Sequence, residues 1–98
     1  MEIEKLLEMN GLKYISTPRP TDWGGAAIIV NQRKFSLEKI NIFIPHNLVI
    51  IWGLLKPKSV EAKFKKIILC SYYSPPNSKK NSKLTDHIVT TLHILNTQ

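Results

Sequence analysis

Cys70 is the single cysteine of the 98-residue chain, which excludes an intrachain disulfide and the framework of a small disulfide-stapled secreted domain. Long hydrophobic runs are also missing. The longest, Leu48–Leu55, is far short of the roughly 20 apolar residues that a membrane-crossing helix needs. The stretch Met1–Gly11 interrupts its apolar residues with Glu2, Glu4 and Glu8, unlike the core of a signal peptide. An intracellular, soluble protein with no membrane partner is the expectation. Acidic residues are few as well: seven Asp+Glu face fourteen Lys+Arg, for a net charge of +7. That balance suits either a polyanionic partner or a solvated lysine-rich surface. Internal repeats are absent, and the only biased segment is the Lys-Ser-Asn stretch Asn77–Lys83.

The rest is ordinary globular sequence, 43% hydrophobic and 21% charged, enough for at most one small domain. Ile3, Leu6, Leu7 and Met9 recur at helical spacing, and Asn10-Gly11 supplies a helix stop. Strands are expected over Lys13–Thr17, Ala26–Val30, Phe35–Ile44, Leu48–Lys56 and Ile67–Tyr73. Pro18-Arg19-Pro20, Asn31–Lys34, Pro45-His46-Asn47 and the charged connection Pro57–Lys66 separate them. A last helix, about Lys83 to Leu95, carries Leu84, Ile88, Leu92 and Leu95 on one face, with Asn81 or Ser82 as its cap and Asp86 near its start. The short connections between strands favour an antiparallel meander.

Two strands are apolar on both faces. Leu48, Ile50, Trp52 and Leu54 alternate with Val49, Ile51, Gly53 and Leu55, and Ile67–Tyr73 is similar apart from Ser71. Such runs belong to strands covered on both sides. If both helices cover one face of a five-stranded sheet, the other face is left bare. Each large aliphatic side chain exposed there forgoes roughly 1.5–3 kcal/mol, so half a dozen would cancel a typical stability of roughly 5–15 kcal/mol. The expected cover is a missing second sheet or a second copy, through self-association of the uncovered sheet.

Gly24-Gly25-Ala26-Ala27-Ile28-Ile29-Val30, the two apolar strands and then Tyr72-Tyr73-Ser74-Pro75-Pro76-Asn77 resemble the middle of the endonuclease/exonuclease/phosphatase superfamily. In particular the chain looks like the deoxyribonuclease I-like endonuclease domain of LINE-type retrotransposons, over roughly Ile3 to Leu95. The resemblance implies an α/β (α+β) chain: about half of a four-layer α/β sandwich, with a mostly antiparallel five-stranded sheet and two helices on one face. Residues 1–98 would then be a partial domain of a metal-dependent phosphodiesterase. Intact relatives hydrolyse phosphodiesters with Mg²⁺, and DNA is the implied partner, although the same scaffold also hosts small-molecule phosphatases.

By resemblance, Tyr73 matches the tyrosine that reaches the scissile phosphate, and Trp23, beside Gly24, is similar to an aromatic that touches the nucleic-acid backbone. Pro76 stands where some relatives have Asn, and Asn77 follows it. Lys79 and Lys80, with Lys83, come close enough behind Tyr73 to meet phosphates. The family's metal-binding Glu, its Gly-Asp-x-Asn motif and its terminal Ser-Asp-His are absent from this sequence. The chain alone is therefore expected to bind no metal tightly and to be inactive. The alternative is a non-catalytic basic module that binds nucleic acid or a partner protein.

Each of these residues also has a plainer reading. Tyr73 can be a strand-end aromatic closing the core, and the lysines a solvated loop. Thr85-Asp86-His87 imitates a Ser-Asp-His dyad but falls inside a helix, and reads as a helix-opening acid with an exposed His. His46 and His93 read as surface residues, Cys70 as inert packing and Trp52 as core.

Overall fold

The computed structural model describes residues 3–17, 25–45, 48–73 and 81–97. Helix α1 (Ile3–Met9) leads into strand β1 (Leu12–Ser16), followed by β2 (Ala27–Asn31), β3 (Phe35–Lys39), β4 (Val49–Pro57), β5 (Ile67–Tyr73) and helix α2 (Asn81–Asn96). The order of elements is the one expected. Gly11 ends α1 with φ of 73°, a left-handed conformation that a side chain disfavours. The amides of Asn10 and Gly11 donate to the carbonyls of Leu7 and Glu8, both at 3.0 Å, so the last turn of α1 is satisfied before β1 begins.

The strands form two antiparallel sheets instead of one sheet of five: β1 pairs with β2, and β3, β4 and β5 form a meander with β4 in the middle. The expected single sheet fails at Asn31–Lys34, which turns the chain out of one sheet and into the other. Backbone amides hold this corner, and the Gln32 side-chain amide donates to the Leu12 carbonyl at 2.9 Å. The Gln32 amide donates to the Gly11 carbonyl and the Lys34 amide to that of Asn31, while the Arg33 amide donates to Asn31 Oδ1. The Lys34-to-Asn31 bond closes a tight turn, but no ladder between β2 and β3 continues from it, and Ile28 and Leu37 meet in the core between the two sheets.

That core corrects the expectation of a bare face. The odd-numbered side of β4 packs Ile51 and Leu55, with Val49 beside them, against Ile15 of β1 and Ala26, Ile28 and Val30 on and beside β2. Its even-numbered side packs Ile50 and Trp52 against Leu84, Ile88 and Leu95 of α2, with Ile68 and Cys70 of β5 alongside. Both apolar faces of β4 are covered within the chain, one by the small sheet and one by a helix. A second copy is therefore not needed to cover β4. β1 and β2 lie over β4, not beside it in the one sheet expected.

The helices are also divided. α1 lies against β1, while α2 packs on the far side of the three-stranded sheet, so the two do not share one face of a single sheet. Sheet against sheet with α2 outside makes an α+β fold of stacked layers.

Two smaller expectations change. β3 stops at Lys39, although the Ile40 amide still donates to the Trp52 carbonyl at 2.9 Å. Ile40, Ile42 and Ile44 keep pointing into the core beneath α2 while Asn41 and Phe43 are exposed. Alternating burial thus continues past β3 without a hydrogen-bonded ladder. On α2, Thr91 and not Leu92 lies on the buried face with Leu84; Leu92 is 37% exposed. Seven residues from Leu84 return to within about 20° of the same direction, whereas eight rotate about 80° away.

Gly53 marks the closest approach of the two sheets. A Cβ there would lie 3.0 Å from Leu37 Cδ1 and 3.2 Å from Cδ1 of both Ile15 and Ile28. The absence of a side chain lets the sheets pack at this point.

Candidate functional site

Of the residues that the resemblance singled out, Tyr73 and Lys83 lie among the described residues; Trp23, Gly24, Asn77, Lys79 and Lys80 lie outside them, as does His46. Tyr73 is the last residue of β5, opposite Val49 at the start of β4, so the register sets it at one end of the three-stranded sheet. β5 is an edge strand, which leaves Tyr73 38% exposed and Tyr72 53% exposed. Two phenols thus stand at a rim with their rings partly in solvent. An exposed tyrosine hydroxyl can donate to an anionic oxygen, and a ring face can stack on a base.

The imitation dyad resolves differently. His87 is half-buried instead of exposed, and its Nε2 accepts a hydrogen bond of 3.2 Å from the indole Nε1–H of Trp52. The rings meet edge to face, with centroids 6.0 Å apart at 66°. Because Nε2 must accept, the imidazole is neutral with its proton on Nδ1. Burial lowers the His87 pKa from its ordinary value and so favours that neutral form. Asp86 beside it is exposed. His87 serves as the polar partner of Trp52, a residue only 1% exposed, whose N–H would otherwise be buried without an acceptor. No sequence signal pointed to this pair, which is separated by 35 residues.

Cys70 is half-buried among the residues beneath α2, and burial raises its thiol pKa. A thiol kept protonated is a poor nucleophile and a poor metal ligand, in keeping with its reading as packing. His93 is exposed near the end of α2, as expected of a surface residue. Among the described residues, no group of three or more His, Cys, Asp or Glu side chains is placed to hold a metal ion. No helix among them is long and apolar enough to cross a membrane. Comparison with known proteins adds no relative: no family model, no curated protein and no solved structure matches the chain.

Proposed function

We propose that the chain is part of a metal-dependent phosphodiesterase domain of the retroelement endonuclease type, built as a four-layer sandwich, and that it cuts nothing by itself. The observation that carries this reading is Tyr73, an accessible phenol that ends β5 and opens Tyr-Ser-Pro-Pro-Asn, with α2 following. Two sheets packed face to face with a helix outside are compatible with such a sandwich. In this role the Tyr73 hydroxyl donates to a non-bridging oxygen of the scissile phosphate and holds the diester in place. Inactivity follows from the absence of the family's acidic metal motif and its Gly-Asp-x-Asn from these 98 residues. DNA is the proposed substrate of the intact domain.

The test has two arms. The coding sequence flanking the chain should supply a metal-binding Glu and a Gly-Asp-x-Asn, and the longer protein should nick supercoiled plasmid with Mg²⁺ and lose that activity in Tyr73→Phe. The 98-residue chain should leave the plasmid intact with Mg²⁺ or Mn²⁺. A longer protein that lacks both motifs would overturn the family reading, and nicking by the chain alone that vanishes in Tyr73→Phe would overturn its inactivity.

A further inference from the structure

The register that sets Tyr73 at one end of the three-stranded sheet gathers positive charge at the other. Phe35 at the start of β3 lies opposite Pro57 at the end of β4, and Ile67 at the start of β5 lies opposite Leu55. Lys34, Lys58 and Lys66 are therefore brought to the same end, and the Lys58 amide donates to the Lys34 carbonyl at 2.9 Å. Lys56 stands one residue inside that end, opposite Ser36. The connection between β4 and β5 is pinned by Phe64, whose ring stacks on Phe35 at 6.4 Å and 13°, and which packs against the core between the sheets. With Phe64 turned inward, Lys63 and Lys65 on either side of it are exposed.

Together with Arg33 in the corner before β3, these are seven of the chain's fourteen cations. All seven are exposed. Residues 31–36 and 55–67 contain a single acid to set against them, Glu61. None of the seven makes an ion pair among the described residues. Like charges crowded on a pinned surface repel one another, and a polyanion relieves that repulsion while releasing its own counterions.

We infer that this end of the sheet is a second nucleic-acid surface, one that holds phosphate backbone without reading sequence. It lies about 20 Å from Tyr73, six residues along the strands. Lysines act on phosphates as point charges, and the one arginine offers little scope for the forked contacts that distinguish bases. The apolar residues at this end favour nucleic acid over an anionic membrane. Phe35, Leu55 and Phe64 face the core, leaving Val60 and the partly exposed Ile67 as the exposed large apolar side chains at this end, too little for insertion among lipids. The inference requires binding only and does not depend on the catalytic reading of Tyr73.

The test measures binding of the 98-residue chain to a fluorescent 20-base-pair duplex by anisotropy across a salt series. The quadruple variant Lys58→Glu/Lys63→Glu/Lys65→Glu/Lys66→Glu should bind at least about tenfold more weakly, with a log–log salt slope shallower by up to about 3.6, since each lost phosphate contact removes roughly 0.9. Lys79→Glu/Lys80→Glu should cost less. In the unmodified chain, bound duplex should protect Lys58, Lys63, Lys65 and Lys66 from acetylation, a readout that does not depend on the variant folding. Unchanged affinity and slope in a folded quadruple variant would overturn the inference, as would protection confined to Lys79, Lys80 and Lys83. Tighter binding to phosphatidylserine vesicles than to duplex would replace it with a membrane surface.

Discussion

Strands β4 and β5 are both largely apolar on their two faces, yet their surroundings differ. β4 lies at the centre of its sheet, with β1 and β2 over one face and α2 over the other, and Ile50, Ile51, Trp52, Gly53 and Leu55 are buried. β5 is hydrogen-bonded on one side only; Ile67, Tyr72 and Tyr73 are exposed and Ile68 to Ser71 half-buried. A doubly apolar run therefore shows that a strand can be covered on both faces, while its position in the sheet decides whether it is. The exposed end of β5 carries the two tyrosines, where a hydroxyl can meet a ligand at little cost to the fold.

The sharpest way to break this contrast is to truncate one residue in each strand. Trp52→Ala should destabilise by about 3–5 kcal/mol, because it removes the largest fully buried side chain. Ile67→Ala on β5 should cost less than about 1 kcal/mol, since its side chain is already partly in water. Urea titrations followed by circular dichroism report both, and equal losses would show that β5 is as deeply packed as β4.

Gly53→Ala probes the same strand from the opposite direction, by adding volume. Overpacking costs about 1–3 kcal/mol, offset by roughly 0.4–1 kcal/mol from a stiffer unfolded chain. A net loss in the thermal midpoint is expected, as Leu37, Ile15 and Ile28 would all have to yield. A gain would mean that the sheets are packed less tightly at this point than their 3.0–3.2 Å approaches indicate.

On the α2 side of β4, His87 makes stability depend on pH. Its folded pKa lies below its unfolded value, so the unfolded chain binds more protons as acid is added. The His87 contribution is present in full above the ordinary imidazole pKa of about 6.5 and is lost as pH falls from there towards the lowered folded value. Protonation also removes the acceptor of the Trp52 N–H. The groups facing this site supply no compensating charge: Cys70 stays neutral, while Glu38 on the same side of β3, and Lys83 and Asp86 on α2, are exposed. His87→Gln, which can keep a carbonyl acceptor, should flatten the dependence between pH 5 and 7. His87→Ala should cost about 1–3 kcal/mol at neutral pH by orphaning the indole N–H. An unchanged acid limb in His87→Gln would assign the dependence to another group.

The smallest effect is expected at Tyr73. Tyr73→Phe removes a hydroxyl from an exposed strand end and should alter stability by less than about 0.5 kcal/mol. A larger loss in the urea midpoint would make Tyr73 a core residue and weaken its reading as a phosphate-facing group.

Local patterns determined much of this molecule. The helix stop at Asn10-Gly11, the order of two helices and five strands, and the division of β4 into two faces were all legible, because each depends on side-chain periodicity or on the backbone freedom of one residue. The two faces of β4 are the two core clusters, residue for residue apart from Leu54 on one side and Gly53 on the other. Tyr73 was legible as a strand-end tyrosine in an ordered motif. Tertiary structure alone decided what covered those faces, since periodicity says that a side chain is buried but not by what. The Asn31–Lys34 corner sent β3 into a second sheet, and that turn made β1 and β2 the missing cover. The meeting of Trp52 with His87, and of lysines from three strand ends at one edge, likewise came from register and layer stacking. These bring together residues far apart in sequence, and no local spacing encodes their contact.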